Sequence, residues 1–146
     1  MKVIVQEEWF SIQQCIDNPK NVYIFGDNTQ RVGEGGQAQI RRCSNSMGVA
    51  TKRAPSMNDG SFFNDSINDF VSMFNDLITV YGFMHSEAGQ DYTIVFPVDG
   101  LGTGLSELPQ RSPFINNQLK LLLEQYFNIV TRKDGTLCYF KCKEQG

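Results

Sequence analysis

The sequence predicts one α/β domain with a mostly parallel central sheet and helices on both faces. Strand-like and helix-like apolar segments alternate along the chain, which is the pattern of such sheets. Residues 22–25 are a continuous apolar run, and residues 92–96, apolar except for Thr93, are a second strand of the buried type that is covered on both sides. The length of 146 residues suits one domain, and we find no repeat or linker, so we assign residues 1–146 to it.

The first half of the chain supplies five predicted elements. They are an edge strand (residues 3–5), a helix (8–17), a buried strand (22–25), a helix start (37–42) and a further strand (47–52). In the first helix, Trp9, Ile12 and Ile16 have helical spacing. Asn18-Pro19 then ends that helix, because proline cannot continue it.

The second half begins with the longest predicted helix, residues 63–83. Its apolar residues form one continuous stripe, which comprises Ile67, Phe70, Val71, Phe74, Leu77, Ile78 and Tyr81. Ser112-Pro113 starts a later helix, with serine at the N-cap and proline at the first helical position. The buried stripe predicted for it is Ile115, Leu119, Leu122, Leu123 and Tyr126. Asp134-Gly135 predicts a β-hairpin between two strand-like segments, residues 128–132 and 136–141.

The composition argues against several classes of function. A net charge of −3 and a pI near 5.1 disfavour a duplex-DNA surface, although a single modified nucleotide could still fit a pocket. The four cysteines form no CxxC pair and there is one histidine, His85, so we expect reduced thiols and neither a metal nor a cofactor. An early charged N-terminus and the lack of an apolar run near the ~20 residues of a membrane span predict a cytoplasmic protein without a membrane partner.

The first loop, residues 26–38, is rich in glycine and joins a buried strand to a helix start. Glycines let backbone N–H groups converge on a phosphate, and a helix start adds partial positive charge. The candidate ligand-binding residues are Asn28, Gly33, Gly35, Gly36, Gln37 and Ala38. Asn28 could bind a ribose hydroxyl or cap the turn, and the whole loop could be a turn without a ligand. It lacks the glycine patterns of dinucleotide-binding and P-loop proteins, so neither dinucleotide redox chemistry nor NTP hydrolysis is supported.

The second loop, residues 97–106, follows the next buried strand. Its alternate glycines and one threonine hydroxyl suit a second phosphate or a ribose. The candidate contacts are Gly100, Leu101, Gly102, Thr103, Gly104 and Leu105. Because the ligands of such sheets lie beyond the carboxyl ends of the strands, two loops there suggest a diphosphate.

In its motifs, the chain resembles the macro domains, a family that binds ADP-ribose. The family carries an asparagine after a central strand and then a Gly-x-Gly loop that opens a helix, which Asn28 and residues 33–38 resemble. Its later Pro-x-x-Gly-x-Gly loop is similar to residues 97–102. The resemblance covers roughly residues 21–127 and implies a three-layer sandwich that holds ADP-ribose in both loops.

Within that family, the chain is most similar to the branch that removes ADP-ribose with a lysine. This branch includes the terminal ADP-ribose glycohydrolase type and the antitoxin type that repairs ADP-ribosylated DNA. Thr51-Lys52-Arg53 resembles its lysine segment, which implies that Lys52 attacks the anomeric carbon or stabilises the substrate by its charge. Attack requires a neutral amine, so burial or cations such as Arg53 and Arg31 must lower the pKa of Lys52. The residues alone leave a solvated strand-end lysine open.

The second predicted catalytic residue is Asp99. The glycohydrolase type carries an aspartate where this chain has Ser106, and Asp99 could replace it as an acid–base group or hold ribose hydroxyls. Asp99 could equally be part of an Asp-Gly turn. Phe62-Phe63 could stack on a base but more often such a pair lies in the core, and Arg41-Arg42 is predicted as a solvated helix face.

The predicted function is therefore hydrolysis of an ADP-ribosyl linkage on a protein or nucleic acid, by a monomer from a phage or bacterium. The partner is ADP-ribose or an ADP-ribosylated substrate. The first alternative is a module that binds ADP-ribose or a signal nucleotide without cleaving it, which Ser106 favours. The second alternative is an interaction protein whose glycine-rich loops are empty turns.

Overall fold

The computed structural model of the protein describes residues 2–139. The strands are β1 (Lys2–Gln6), β2 (Asn21–Asn28), β3 (Ser46–Lys52), β4 (Thr93–Pro97), β5 (Ile129–Thr131) and β6 (Leu137–Tyr139). The helices are α1 (Ile12–Asp17), α2 (Ile67–His85), α3 (Leu108–Arg111) and α4 (Pro113–Phe127). Single 3₁₀ turns occupy Gly36–Ile40, Asp59–Ser61 and Ala88–Asp91. The end of the last predicted strand, residues 140–141, and Cys142 lie outside the described residues.

The central sheet has four strands in the order β1-β4-β2-β3, and all of them are parallel. β1 lies at one edge, as predicted, and β5 and β6 form the predicted antiparallel hairpin. Because neighbouring parallel strands end at the same edge of a sheet, the second loop, the first loop and Lys52 follow one another along that edge. The α/β fold class is confirmed.

Both faces of the sheet are covered. Alternate residues of β2 point to opposite sides: Ile24 joins the core beneath α2 and α4, whereas Tyr23 and Phe25 join a smaller cluster. That smaller cluster also contains Phe10, Cys15 and Ile40, from the α1 region and the 3₁₀ turn after the first loop. The strands are therefore buried on both sides, as their continuous apolar runs predicted.

Helix α1 begins later than predicted, because Ser11 forms its N-cap and Gln14 completes a capping box. Trp9, Ile12 and Ile16, whose spacing predicted this helix, are all exposed. A helix of only 6 residues has little buried face, and Phe10 and Cys15 make its core contact instead. Burial raises the pKa of Cys15 to about 12, which leaves this thiol inert.

Helix α2 also differs from its predicted stripe. Its buried apolar residues are Met73, Leu77, Val80 and Met84, while three stripe members, Ile67, Val71 and Ile78, are exposed. Apolar residues occupy more than one side of this helix, so spacing alone does not select the face that meets the sheet. In α4 the stripe is nearly right, but Phe127 is buried where Tyr126 was expected.

The start of α4 is capped from another segment of the chain. Ser112 stands at the N-cap, but its hydroxyl accepts a hydrogen bond from the Asp65 N–H (3.1 Å) and caps no amide of its own helix. The Asp65 carboxylate instead accepts from the N–H groups of Phe114 (3.2 Å) and Ile115 (2.9 Å). Asp65 adopts a φ of 63°, so this reciprocal pair fixes the turn before α2 onto α4.

Replacing Asp65 by alanine is expected to destabilise the fold by about 1–2 kcal/mol, because two helix N–H groups lose their acceptor. Asp65→Asn tolerates the positive φ and keeps one side-chain oxygen, so a smaller loss is expected. Urea unfolding followed by circular dichroism measures both values. Equal stability of the alanine variant and the wild type would contradict this role.

Candidate functional site

The first loop turns its carbonyl groups inward. Arg41 donates to the carbonyl oxygens of Gly33 (Nε, 2.8 Å) and Val32 (Nη2, 3.1 Å), and its Nη2 also bonds the Asp27 carboxylate at 2.6 Å. Asn28 Nδ2 donates to the same Val32 oxygen at 2.8 Å. The Arg41 side chain is only 17% exposed, so its prediction as a solvated face is wrong. It anchors the first loop instead.

The amides of the first loop are left free. Within residues 2–139, the N–H groups of Gly33, Glu34, Gly35 and Gly36 donate no hydrogen bond, and these residues are exposed. Gly33 and Gly36 adopt left-handed φ values of 92° and 57°, which only glycine adopts easily. The helix predicted behind this loop is a single 3₁₀ turn, so free amides rather than a helix dipole are what could attract an anion here.

The second loop also has free amides, and residues 103–105 are exposed whereas Leu101 and Gly102 are buried. Within the described residues, Leu101 to Ser106 donate no backbone hydrogen bond, while Leu108 N–H bonds the Gly102 carbonyl and closes the loop at 3.0 Å. Gly102 has a φ of 79°, and a Cβ there would lie 2.9 Å from Leu108 Cδ2. Thr103 donates its hydroxyl to the Asp99 carbonyl, so this hydroxyl is used within the loop.

Gln37 joins the two loops. Its Oε1 accepts from Gly26 N–H, and its Nε2 donates to the Gly100 carbonyl, both at 2.8 Å. Both ends of the amide are therefore occupied by backbone. Gln37 positions the loops against each other, and a direct role in holding a ligand would require breaking one of these bonds. Ala38 beside it packs on the smaller core cluster.

Asn28 presents an acceptor without a donor. Its Nδ2 is held by Val32, while its Oδ1 is buried and has no hydrogen-bond partner among the described residues. A buried acceptor without a partner costs about 1–3 kcal/mol, so such an atom suits a ligand that brings a hydroxyl or N–H group. Asn28 pairs in register with Lys52 of β3, which places it between the loops and the lysine.

Lys52 is buried at the end of β3. It is 5% exposed, and its Nζ lies 3.4 Å from the Pro55 carbonyl oxygen, 3.5 Å from Met57 Sδ and 4.5 Å from the Phe62 ring centroid. No carboxylate of the described residues lies within ion-pair distance of it. Burial lowers the pKa of Lys52, the Arg111 charge lowers it further, and the Glu107 charge opposes both. The reading as a solvated lysine does not hold.

The cation beside Lys52 is Arg111 rather than Arg53. Arg53 forms a bidentate pair with the Asp69 carboxylate, at 3.0 and 2.8 Å, and it is the charge of Arg111 that lowers the pKa of Lys52. Arg31 is likewise paired, with Asp27 and Asp76. The Arg111 guanidinium lies 3.6 Å over the ring of Phe62 that Lys52 also contacts, and Arg111 bonds Glu107 at 3.2 Å. Phe62 and Phe63 are core residues.

Asp99 lies apart from Lys52. It is exposed beside Gln37, Trp9 and Glu8 at the end of β4, and no described hydrogen bond, ion pair or electrostatic interaction joins it to Lys52. The reason is the strand order: β2 separates the ends of β4 and β3 by two strand spacings, roughly 10 Å. Ser106, by contrast, reaches the lysine segment, because its hydroxyl lies 2.9 Å from Thr51 Oγ1.

Sequence reasoning missed three residues near the site. Glu107 and Arg111 are four residues apart, a spacing that predicts a helical ion pair, but nothing in it indicates Lys52 as a neighbour. Nothing in the sequence indicates that Arg41 is buried, since an arginine after a glycine-rich loop is usually solvated. The described residues contain no group of three or more side chains suited to hold a metal ion. None of the helices they form is long and apolar enough to cross a membrane.

Comparison with known proteins gives a family but no activity. A family model matches residues 5–122, and its description is a family of unknown function (DUF7831). No curated protein and no solved structure matches the chain. The matched segment contains β2 to β4, both glycine-rich loops and Lys52.

Proposed function

The chain belongs to the DUF7831 family, whose function is unknown, and from its geometry we propose that it binds ADP-ribose and hydrolyses an ADP-ribosyl linkage. The observation that carries the proposal is a buried lysine that forms no ion pair among the described residues, at the same sheet edge as two runs of free backbone amides. The macro-domain resemblance supports the same assignment. We also propose that the protein is a monomer, that it acts in the cytoplasm and that it comes from a phage or bacterium.

The two loops are assigned to the diphosphate. They follow β2 and β4, which are neighbours in the sheet and run parallel, so both loops leave the same edge of the sheet. Glycine at the critical positions lets two linked phosphates approach the backbone of both loops. Asn28 Oδ1 is assigned to a hydroxyl of the ribose nearest Lys52, because it is the unpaired acceptor between the loops and the lysine.

Lys52 is assigned to the chemical step. Its neutral amine attacks the anomeric carbon, a C–N bond forms, and the bond from that carbon to the substrate's acceptor atom breaks. The electron pair leaves with the acceptor, which takes a proton, and water then hydrolyses the adduct to free ADP-ribose and the amine. Glu107 is the carboxylate whose charge acts on Lys52, so we assign proton transfer to it rather than to Asp99.

A module that binds without cleaving is the alternative. Ser106 occupies the position where the resembled glycohydrolase type has an aspartate, and Asp99 does not contact Lys52. In that case Lys52 contributes charge alone. Both functions require that ADP-ribose binds at the loops, whereas a protein with empty loops requires that it does not.

Calorimetry with ADP-ribose is expected to give saturable binding, and the matched variants locate it. A Cβ at Gly35 meets nothing within 4 Å and its φ is negative, so Gly35→Val should fold but place a side chain over the amides. We expect at least about tenfold weaker binding, a loss near 1.4 kcal/mol. Gly82 of α2 also has open space, so Gly82→Val is the control and should bind normally.

The same samples test hydrolysis. Wild-type protein is expected to release free ADP-ribose from an ADP-ribosylated protein or oligonucleotide, measured by chromatography. Binding without release on either substrate would favour the module. Absence of both heat and thermal shift with ADP-ribose would overturn the two functions together.

A further inference from the structure

A pocket behind the second loop is not used by the proposed reaction. It has a volume of about 270 Å³ and lies between that loop, α4 and the turn of the β5–β6 hairpin. Its apolar lining comprises four leucines, Leu101, Leu119, Leu123 and Leu137. Gly100, Leu101 and Thr103 of the second loop form one wall of it, whereas Lys52, Asn28 and the first loop do not line it. The backbone closes one side, because Gly100 approaches the carbonyl oxygen of Gly135 so closely that a Cβ there would lie 2.9 Å from it.

One buried polar side chain in this pocket has no partner. Asn116 of α4 is 8% exposed, and its backbone N–H donates to the Ser112 carbonyl in the helix. Its side-chain amide makes no hydrogen bond within residues 2–139, and its polar atoms keep contact with solvent in the pocket, since Asn28 Oδ1 is the one fully buried unpartnered side-chain atom of that range. The amide therefore offers a donor and an acceptor to a ligand that enters the pocket. An amide donates and accepts side by side, which matches a ring edge that carries an N–H beside a carbonyl.

The rim of the pocket carries two lysines. Lys120 of α4 and Lys133 of the hairpin turn both line it, are exposed, and form no ion pair among the described residues. The carboxylate of Asp134 accepts two hydrogen bonds from Thr136, at 2.9 and 2.6 Å, within the turn. Asp134 also lines the pocket and keeps its negative charge, so two lysines and one aspartate leave the rim with a net charge of +1. This positive charge favours an acidic substituent on the ligand.

We propose that this pocket is a second ligand site, for a small planar heterocycle that carries an acid group. The ring packs on the leucines, its edge bonds the amide of Asn116, and its acid group faces Lys120 and Lys133. A volume of about 270 Å³ accepts one substituted ring, but it lies below the range of about 300–1,000 Å³ typical of drug-sized ligands, so it does not accommodate ADP-ribose. The proposal is independent of whether ADP-ribose binds at the loops.

Orotate is the probe, since it combines a ring N–H and carbonyl edge with a carboxylate, and uracil lacks only the carboxylate. Saturation-transfer NMR and calorimetry on the full chain are expected to detect saturable orotate binding that weakens with salt. Uracil should bind several-fold more weakly. Asn116→Leu should weaken orotate at least about tenfold, the effect of one lost buried hydrogen bond. Asn117→Leu alters the exposed neighbour and should leave binding unchanged.

Three results would overturn the site. They are no saturable signal from orotate with the wild type, equal orotate affinity in Asn116→Leu, and displacement of orotate by ADP-ribose. If Asn116→Leu loses its cooperative melting transition, the double variant Lys120→Ala/Lys133→Ala replaces it. That variant should weaken orotate to the affinity of uracil, and unchanged affinity would equally overturn the proposal.

Discussion

Replacing Lys52 by alanine is expected to abolish release of free ADP-ribose, by on the order of 10³-fold or more, while affinity for ADP-ribose changes little. The amine is the proposed nucleophile, so its loss removes the chemical step. The proposal assigns the phosphates to free backbone amides, which this substitution does not alter. Single-turnover release and calorimetry on the same variant separate the two effects.

Lys52→Arg is the matched control, because a guanidinium keeps the positive charge but does not lose its proton in a protein. If Lys52 is the nucleophile, this variant should be as inactive as alanine. Activity of Lys52→Arg near the wild-type rate would assign the residue a purely electrostatic role and remove the covalent step from the proposal.

The pH dependence has a definite sign. Burial lowers the folded-state pKa of Lys52 below its ordinary value of 10.5, and the proposed reacting species is the neutral amine. The rate of ADP-ribose release should therefore rise with pH up to that lowered pKa and then level off. The same shift makes the charged lysine a cost to folding below that pKa, and the cost is lost as pH rises. A rate that falls with rising pH would contradict the neutral amine.

Replacing Asp27 by alanine is expected to destabilise the fold by about 3–5 kcal/mol, the range for breaking a buried ion pair. Its side chain is 3% exposed and accepts from Arg41 Nη2 (2.6 Å), Arg31 Nη1 (3.2 Å) and the Asn28 N–H (2.7 Å). Without the Asp27 carboxylate, Arg31 and Arg41 lose an ion-pair partner. Arg41 is then no longer held where it bonds the carbonyl groups of the first loop. Urea unfolding should show the loss, and ADP-ribose binding should weaken.

Asp59 provides the control for this prediction. It also pairs with an arginine, Arg111, at 3.1 Å, but it is 97% exposed. Exposed pairs contribute about 0–1 kcal/mol, so Asp59→Ala should leave stability nearly unchanged. Similar losses in Asp27→Ala and Asp59→Ala would mean that burial does not set the value of these pairs. Gly48→Ala is an independent test. Any Cβ at Gly48 of β3 would collide with the Asp27 carboxylate, so this variant should also lower the free energy of unfolding.

Local patterns predicted most elements of the fold. The continuous apolar runs identified β2 and β4, and Asp134-Gly135 identified the hairpin. Both patterns depend only on residues that are neighbours in the chain, so they predict these elements without knowledge of the packing. Helix faces were less predictable: Ile67 and Ile78 belong to the predicted stripe of α2 but are exposed, since the sheet selects which apolar side is buried.

The sequence by itself determined an α/β chain with two glycine-rich loops at strand ends and a lysine at a third strand end. Only the tertiary structure decided which charged groups meet there. The strand order put Asp99 two strands from Lys52 and brought Arg111 and Glu107 to it from α3 and its start. The tertiary structure also buried Arg41 against Asp27. Charge pairing across a sheet edge depends on strand order and burial, and neither can be predicted from the spacing of residues along the chain.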